Sequence, residues 1–246
     1  MRYLILSDLH SNLEALQSVL SHAAGDYDRI VCCGDLAGYG PDPNAIIDWA
    51  RASLYAVIRG NHDRACGGLD DLEWFNPIAR TATLWTIQQL TEENLKYLRA
   101  LPEGPLNVDG FSLAHGSPLD EDEYVITAQD ALNQFPYVQS DLVFFGHTHL
   151  QGGFARTGER MEVHAHPCGA ENHRFLHLMP DTAYLLNPGS VGQPRDADCR
   201  AGYILYDSEQ RLVVFHRVGY DDEFTREKII RAGLPDSLGN RLLVGR

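Results

Sequence analysis

The feature that most constrains the fold is an apolar run near the amino terminus that ends abruptly in polar residues. Residues 4–6 are Leu, Ile and Leu, and Asp8 and His10 follow closely. Such a run predicts a buried strand. At the carboxyl end of a central strand in an α/β sheet, side chains project into the ligand-binding crevice, so both residues are candidate metal ligands. The alternative is that Asp8 caps a helix and His10 is a satisfied loop histidine.

Four further predicted strands run into polar residues of the same kind. A single histidine at a strand end is more often structural, but five such ends in one chain are not expected by chance. Between the early strands the spacing of apolar residues predicts helices, starting with a capping box at Ser11 and Glu14 and a helix over about 12–24. Successive strand–helix units imply parallel strands that open on one edge of a sheet. The polar groups concerned are Asp35, Asn61 and His62, His115, and His147 and His149.

Residues 64 to about 102 predict a helical insertion beside the site. Helical patterns cover roughly 77–90 and 92–101, after the break at Gly67 and Gly68. We expect the aromatic residues of this segment to form its own packing, with a dimer surface or the substrate entrance as alternatives. These aromatic residues are Trp74, Phe75, Trp85 and Tyr97.

From about residue 154 onward the pattern predicts strands, followed by short helices over 224–232 and 236–243. Without an internal repeat or linker, one domain over residues 1–246 is the simplest interpretation. The formal net charge of −14 argues against broad binding to nucleic acid or anionic membranes. No apolar run approaches the ~18 residues of a membrane span, and we expect a cytoplasmic protein.

The candidate ligands are imidazoles, carboxylates and one carboxamide, which suit ions such as Mn, Fe, Zn, Ni or Co. Seven ligands exceed the needs of one four-coordinate ion and favour two divalent ions that share a carboxylate. A second group of histidines with Cys168 has a spacing that fits no compact zinc motif, so we expect a loop or hairpin near the pocket mouth. That group is His164, His166, Cys168 and His173.

The five polar blocks, taken in order, resemble the calcineurin-like metallophosphoesterase superfamily. Its pattern is Asp-x-His, Gly-Asp, Gly-Asn-His-(Asp/Glu), a lone His and Gly-His-x-His, and the chain matches it from Asp8 to His149. Residues 34–41 and 187–195 are similar to small bacterial and archaeal phosphodiesterase-like members. The resemblance implies a four-layer α/β/β/α sandwich of two mixed sheets flanked by helices. It also implies one metal on Asp8, His10 and His149, another on Asn61, His115 and His147, and Asp35 bridging both.

In this resemblance His62 is not a ligand. It would assist the leaving group, with Asp63 orienting its imidazole, while a hydroxide shared by the two metals attacks phosphorus in line. Asn12 is a candidate contact for substrate phosphate, although capping of the following turn explains it equally well. Arg195 could hold a substrate phosphate through a bidentate contact, although surface arginines are common.

The function implied is metal-dependent hydrolysis of a phosphomonoester or phosphodiester. We expect a small substrate, with a nucleotide or phosphodiester favoured. One alternative is a non-catalytic scaffold that keeps the fold and binds partners. Another is a metal-dependent nuclease, which would need a basic groove that a chain of this charge would have to build locally.

Overall fold

The computed structural model describes residues 1–73, 75–165 and 167–246. Within those residues, twelve strands form two six-stranded sheets. The strands are β1 (Arg2–Leu6), β2 (Arg29–Cys32), β3 (Ala56–Val57), β4 (Leu106–Val108), β5 (Phe111–Leu113), β6 (Leu142–Phe144), β7 (Gly152–Thr157), β8 (Arg160–Ala165), β9 (His173–His177), β10 (Ala183–Asn187), β11 (Ala201–Asp207) and β12 (Leu212–Val218).

The helices lie mostly between early strands and after the last strand. No helix in the described part of the chain has the length and apolar character needed to cross a membrane. The helices are α1 (Leu13–His22), α2 (Pro43–Ser53), α3 (Asn61–Cys66), α4 (Pro77–Gln89), α5 (Glu92–Ala100), α6 (Ala128–Gln134), α7 (Asp222–Arg231) and α8 (Asp236–Asn240), with 3₁₀ turns at Phe135–Tyr137 and Leu242–Val244.

Both sheets mix parallel and antiparallel neighbours. The first has the order β3-β2-β1-β11-β12-β9 and the second β4-β5-β6-β10-β7-β8. β2 is parallel to β1 and β3, and β6 is parallel to β5 and β10. The carboxyl ends of β1, β2 and β3 therefore meet at one edge of the first sheet, as those of β5 and β6 do in the second.

Strand β1 is buried on both faces, which explains its unbroken apolar sequence. Ile5 belongs to the core between the sheets with Phe111 and Phe144, whereas Leu4 belongs to a second core with Leu16 of α1. Successive residues of a strand point to opposite faces, so both faces need apolar residues. On the far side, α6 covers the second sheet. The expected four-layer α/β/β/α sandwich is confirmed.

The two helices predicted within residues 64–102 are present as α4 and α5. Ala79 and Ala82 of α4 share a core cluster with Leu238 of α8 and with Leu234, which lies between α7 and α8. Leu98 of α5 joins the core of the first sheet. The predicted ranges of both helices agree with the structure to within one residue. Helix α3 was not predicted, because its residues were assigned to a loop motif.

The expected capping box at the start of α1 is wrong. Asn12, not Ser11, is the N-cap, and its side chain accepts a hydrogen bond from the Ala15 amide at 3.1 Å. Ser11 has φ of 54° and lies one residue before the cap. An Asn carboxamide caps a helix as well as a hydroxyl does, so the sequence pattern alone could not choose between the neighbours.

Candidate metal centre

The structure brings the seven predicted ligands together at the sheet edges. Each follows the end of β1, β2, β3, β5 or β6, and six of them are buried while Asn61 is half-buried. They form two groups that share one carboxylate. One group contains Asp8, His10, Asp35 and His149, the other Asp35, His115 and His147, with Asn61 beside the second.

Asp35 lies between the two groups. Its Oδ2 is 3.5 Å from His10 Nε2 and 3.4 Å from His115 Nε2. A carboxylate placed in this way can contact an ion on either side, which is the arrangement expected of a bridging ligand.

The first group closes around Asp8. His149 Nε2 is 3.3 Å from Asp8 Oδ1 and 3.0 Å from His10 Nε2. Asp8 Oδ2 is buried, and it has no hydrogen-bond partner among the described residues. A buried carboxylate oxygen without a partner is costly unless a cation or a water satisfies it.

The second group is organised by the side chain of Asn61. Its Oδ1 is 3.2 Å from His115 Nε2 and 3.1 Å from His147 Nδ1. The oxygen of the carboxamide therefore faces both imidazoles, as a ligand of the same ion would.

Backbone carbonyls fix the direction of three rings. The Nδ1 atoms of His10, His115 and His149 lie 3.0, 2.8 and 2.5 Å from the carbonyls of Ala37, Cys33 and Gln193. Because a carbonyl only accepts, Nδ1 must donate in each ring. In a neutral ring Nε2 then presents a lone pair, and the facing lone pairs of His10 and His149 have no donor between them. A cation satisfies both, so these residues fit a metal site.

Four of the candidate ligands have the charge states that bind cations. Burial lowers the pKa of His10 and His149 well below the usual value, and lowers that of His147 to about 3. Burial alone would raise the pKa of Asp35, but the positive field of neighbouring histidines, His115 first, holds it well below its usual value. The carboxylate of Asp35 in turn outweighs burial and raises the pKa of His115 to about 10. The three neutral imidazoles and the ionised carboxylate are the forms that bind metals.

The backbone at the ligand loops is strained. Asp8, Asp35, His147 and His149 have φ of 54°, 56°, 64° and 61°, and His10 has 45°. Residues other than glycine rarely adopt these values, and each costs on the order of 1 kcal/mol or more. The loop geometry that aims the ligands inward is therefore maintained against a local cost.

Glycines allow the ligands to approach one another. A Cβ at Gly60 would lie 2.1 Å from Asp35 Oδ1 and 2.6 Å from His115 Cε1. At Gly146 it would lie 1.9 Å from Ser7 Oγ and 2.9 Å from Asp8 Oδ2. Any larger side chain at either position would displace a candidate ligand.

His62 lies beside the cluster, and its side chain forms no hydrogen bond with a candidate ligand. Its backbone amide donates to Asp35 Oδ1 at 2.9 Å, and its ring centroid is 5.0 Å from that of His10. Its ring packs against the rings of Tyr39 and Phe75 at 4.4 and 5.0 Å between centroids. Its Nδ1 is buried without a hydrogen-bond partner among the described residues. Burial lowers the pKa of His62 to about 4, so the ring is neutral.

The predicted role of Asp63 in orienting His62 is wrong. Its Oδ1 accepts from the Ala37 amide at 3.0 Å and its Oδ2 from the Gly60 amide at 3.1 Å. Both oxygens are thus engaged by backbone amides, and Asp63 ties the loop after β2 to the start of α3. Burial raises the pKa of this carboxyl to about 7.

The cluster opens into a cavity of about 480 Å³. Its walls include Tyr39, Phe75, Tyr124 and an ion-paired group around Arg64. The sequence patterns did not indicate Tyr39, Tyr124 or Arg64 as site residues. Tyr39 lies in the segment 34–41 that already resembled the superfamily. Arg64 comes directly after the Gly-Asn-His-Asp motif but is not part of it, and Tyr124 belongs to no motif; both reach the cavity through tertiary packing.

The two predicted substrate contacts have different positions. Arg195 lines the cavity with His62 and His149, and its Nε is buried without a hydrogen-bond partner in the described part of the chain. Asn12 does not line this cavity: it caps α1 and donates to the Gly192 carbonyl at 2.9 Å. The capping alternative therefore accounts for Asn12, and we do not carry it forward as a substrate ligand.

Among the described residues, the aromatic residues of the insertion lie both at the cavity and in the core, and the second histidine group lies away from the cavity. Phe75 lines the cavity, in favour of the substrate-entrance alternative, and it also packs with Trp85 against one core cluster. Tyr97 packs against another core cluster. Trp74 and His166 lie outside the described residues. His164 is on β8, Cys168 is exposed and His173 begins β9; none of the three lines the cavity, so their expected position at its mouth is wrong.

Comparison with known proteins agrees with this geometry. A model of the calcineurin-like phosphoesterase superfamily domain matches residues 1–211. The crystal structure of a metallophosphoesterase from Sphaerobacter thermophilus is similar at 38% identity and a TM-score of 0.88, covering 100% of this chain and 99% of that one.

Two archaeal proteins are also similar. An uncharacterized protein of Methanocaldococcus jannaschii is 35% identical over 98% of this chain and 97% of its own. A hypothetical protein of Pyrococcus horikoshii, at 18% identity, has the same fold with a TM-score of 0.79, covering 100% of this chain and 98% of that one. With the family match over residues 1–211, these observations establish that the chain belongs to the calcineurin-like phosphoesterase superfamily.

Proposed function

We propose that the protein is a dinuclear metal-dependent phosphoesterase. The observation that carries the proposal is the pair of ligand groups that share Asp35 and open into one cavity. One ion would be held by Asp8, His10 and His149. The other would be held by Asn61, His115 and His147.

When bound, the two cations would supply a nucleophilic water at neutral pH and polarise the phosphoryl oxygens. Arg195 is positioned to hold the phosphoryl group, because it lines the cavity and has an unused Nε. His62, on the same cavity, would donate a hydrogen bond to the leaving oxygen. Tyr39 and Phe75 pack against its ring and limit its rotation.

The substrate we propose is a small phosphorylated molecule. A cavity of about 480 Å³ with three aromatic walls is in the range of small-molecule sites. Phosphomonoester or phosphodiester specificity, a cytoplasmic location, a single domain and a homodimer stay predictions from the sequence.

The test is hydrolysis of p-nitrophenyl phosphate and its bis ester by protein reconstituted with Mn, Ni, Co or Zn. We expect turnover of at least one ester with at least one metal, and loss of both turnover and bound metal in Asp35→Asn. Metal binding without turnover of either ester would favour the scaffold alternative. A wild-type protein that binds no metal would remove the proposal.

A further inference from the structure

Two guanidinium groups converge on one neutral oxygen beside the cavity. Arg195 Nη2 donates to Gln193 Oε1 at 3.0 Å, and Arg241 Nη1 donates to the same oxygen at 3.1 Å. Two donors on one acceptor at these distances lie within about 6 Å of each other. The two positive charges are therefore close together, although they come from residues 46 positions apart in the sequence.

Neither group is neutralised by a neighbouring acidic side chain. Among the described residues, eleven arginines form ion pairs with Asp or Glu, but Arg195 and Arg241 do not. Arg195 Nε is buried without a partner there, and Arg241 Nε donates to the main-chain oxygen of Arg246. Burial and then repulsion from Arg195 hold the pKa of Arg241 below its usual value. In a chain with a net charge of −14, this is a local concentration of positive charge.

The pair joins two cavities. Arg195 lines the cavity at the candidate ligands, and Arg241 lines a second cavity of about 630 Å³ together with Arg246. Tyr39 and Asn76 border both cavities. The Arg195 guanidinium carbon is 5.7 Å from the Tyr39 ring centroid, and the same ring contacts the rings of His62 and His10 at 4.4 and 4.7 Å between centroids. A ligand that reaches past Tyr39 toward Arg241 therefore passes beside His62, where the leaving group would be.

We propose that Arg195 and Arg241 form a second anion subsite, and that the substrate is a phosphoester whose leaving group carries another phosphate. The inference rests on the proposed phosphoesterase function for its first phosphoryl group. Guanidinium groups bind phosphate through paired, charge-assisted hydrogen bonds, and Gln193 holds two of them ready without neutralising them. A purely structural arginine pair would serve equally well with a carboxylate at position 193, which would remove their mutual repulsion.

The test compares inorganic pyrophosphate with orthophosphate, by calorimetric titration of the full chain. Both the metal-loaded protein, freed of excess metal, and the chelated protein are titrated. In Arg241→Gln we expect the preference for pyrophosphate over orthophosphate to fall about tenfold, because only the longer anion spans both arginines. The matched control is Arg160→Gln, which removes an equal charge from an exposed position on β8 and should change the preference less than twofold.

A second variant keeps the proposal testable if Arg241→Gln does not fold. Gln193→Glu places a carboxylate between the two guanidinium groups, so we expect an unchanged or higher Tm together with at least a tenfold loss of pyrophosphate binding. If both variants prefer pyrophosphate as strongly as the wild type does, the subsite is excluded. It is also excluded if the wild type itself shows no preference for pyrophosphate over orthophosphate. If the wild type hydrolyses neither nitrophenyl ester, the proposed function fails separately, and these titrations still decide the subsite.

Discussion

Three histidine rings of the centre use one nitrogen for a backbone hydrogen bond and direct the other toward the candidate metal site. One nitrogen of His10, His115 and His149 donates to a backbone carbonyl, and the other faces the cluster. In the neutral rings of His10 and His149 this arrangement selects one tautomer, and in all three rings it fixes the plane before any ion arrives. The geometry of the candidate ligands therefore depends on carbonyls in loops distant in sequence, such as Gln193.

Replacing His62 separates catalysis from metal binding. We expect His62→Asn to retain both metals, because the His62 side chain forms no hydrogen bond with a candidate ligand and the backbone amide that donates to Asp35 is unchanged. We expect kcat to fall by about 10²–10⁴ through loss of leaving-group assistance. Elemental analysis and ester hydrolysis measure the two effects. The control is His177→Asn, an exposed histidine on β9. Equal turnover in wild type and His62→Asn would exclude this role.

At Gly60 the addition of a single methyl group should reduce both metal binding and stability. In Gly60→Ala the added methyl would overlap Asp35 Oδ1 and crowd His115, so we expect loss of bound metal and about 1–3 kcal/mol of unfolding free energy. Urea unfolding and elemental analysis measure both. The matched control is Gly219→Ala, where a Cβ meets nothing within 4 Å and should be tolerated. A metal-replete, fully stable Gly60→Ala would contradict the close approach.

At the scale of elements, β12 anchors the loop that follows β10. Arg217 on β12 is fully buried, donates to Gln151 Oε1 at 3.0 Å, and forms an ion pair with Asp196. The loop 188–200 carries Gln193 and Arg195, both of which face the site. The strand therefore positions site residues through an ion pair that lies outside the cavity.

Breaking that ion pair should destabilise the whole fold. Asp196→Ala leaves the Arg217 charge buried without its partner, a change that costs about 3–5 kcal/mol. Urea unfolding measures the loss. The control is Glu162→Ala, which removes an ion pair between exposed side chains and should cost less than about 1 kcal/mol. If both variants lose the same small amount, the buried pair does not anchor the loop as described.

The same strand predicts a pH dependence of stability. Burial, followed by repulsion from His22 and His173, lowers the pKa of His216 to about 4. Because the unfolded value is near 6.5, the unfolded chain binds more protons between pH 6.5 and 4. Above pH 6.5 the titration of His216 therefore does not reduce the free energy of unfolding. As the pH falls from 6.5 to 4, the free energy of unfolding decreases by up to about 1.4 kcal/mol per pH unit.

Unfolding by urea between pH 4 and 7 tests the His216 effect. We expect His216→Asn to show a shallower loss of stability toward low pH than the wild type, because the variant has no proton to take up at this position. His177→Asn is the control and should follow the wild-type curve. Parallel curves for His216→Asn and wild type would contradict the prediction.

For the whole molecule, metal binding should be a large part of its stability. Ions that bind only the folded chain stabilise it by about 2.7 kcal/mol at a concentration of 100 Kd. For a chain of this length that corresponds to roughly 5–10 °C in Tm. We expect chelation to lower the Tm of the wild type by this amount, measured by calorimetry. In Asp35→Asn the same treatment should have little effect, and an unchanged wild-type Tm would argue against bound metal.

Much of this architecture could be predicted from local sequence. Apolar runs predicted the strands, since a strand buried on both faces must be apolar on both faces. The Asp, Asn or His residues that follow these runs predicted the candidate ligands, because polar residues after a buried strand lie beyond the end of the sheet. Helix α3 was missed because its residues were assigned to a loop motif. The capping box at Ser11 was wrong because neighbouring polar residues compete for the same backbone amides, and Asn12 is the cap. The role of Asp63 was also missed, because its hydrogen-bond partners at Ala37 and Gly60 are set by loop packing.

The sequence by itself determined the order of strands and helices, the residue types of the centre and the superfamily. Periodicity and motif spacing are local properties, and they can be recognised without knowledge of the fold. Only the tertiary structure decided that Tyr39 borders two cavities and that Arg241 meets Arg195 on one oxygen. Those relations depend on how distant loops pack at the edges of two sheets, and no local pattern records a distance between them.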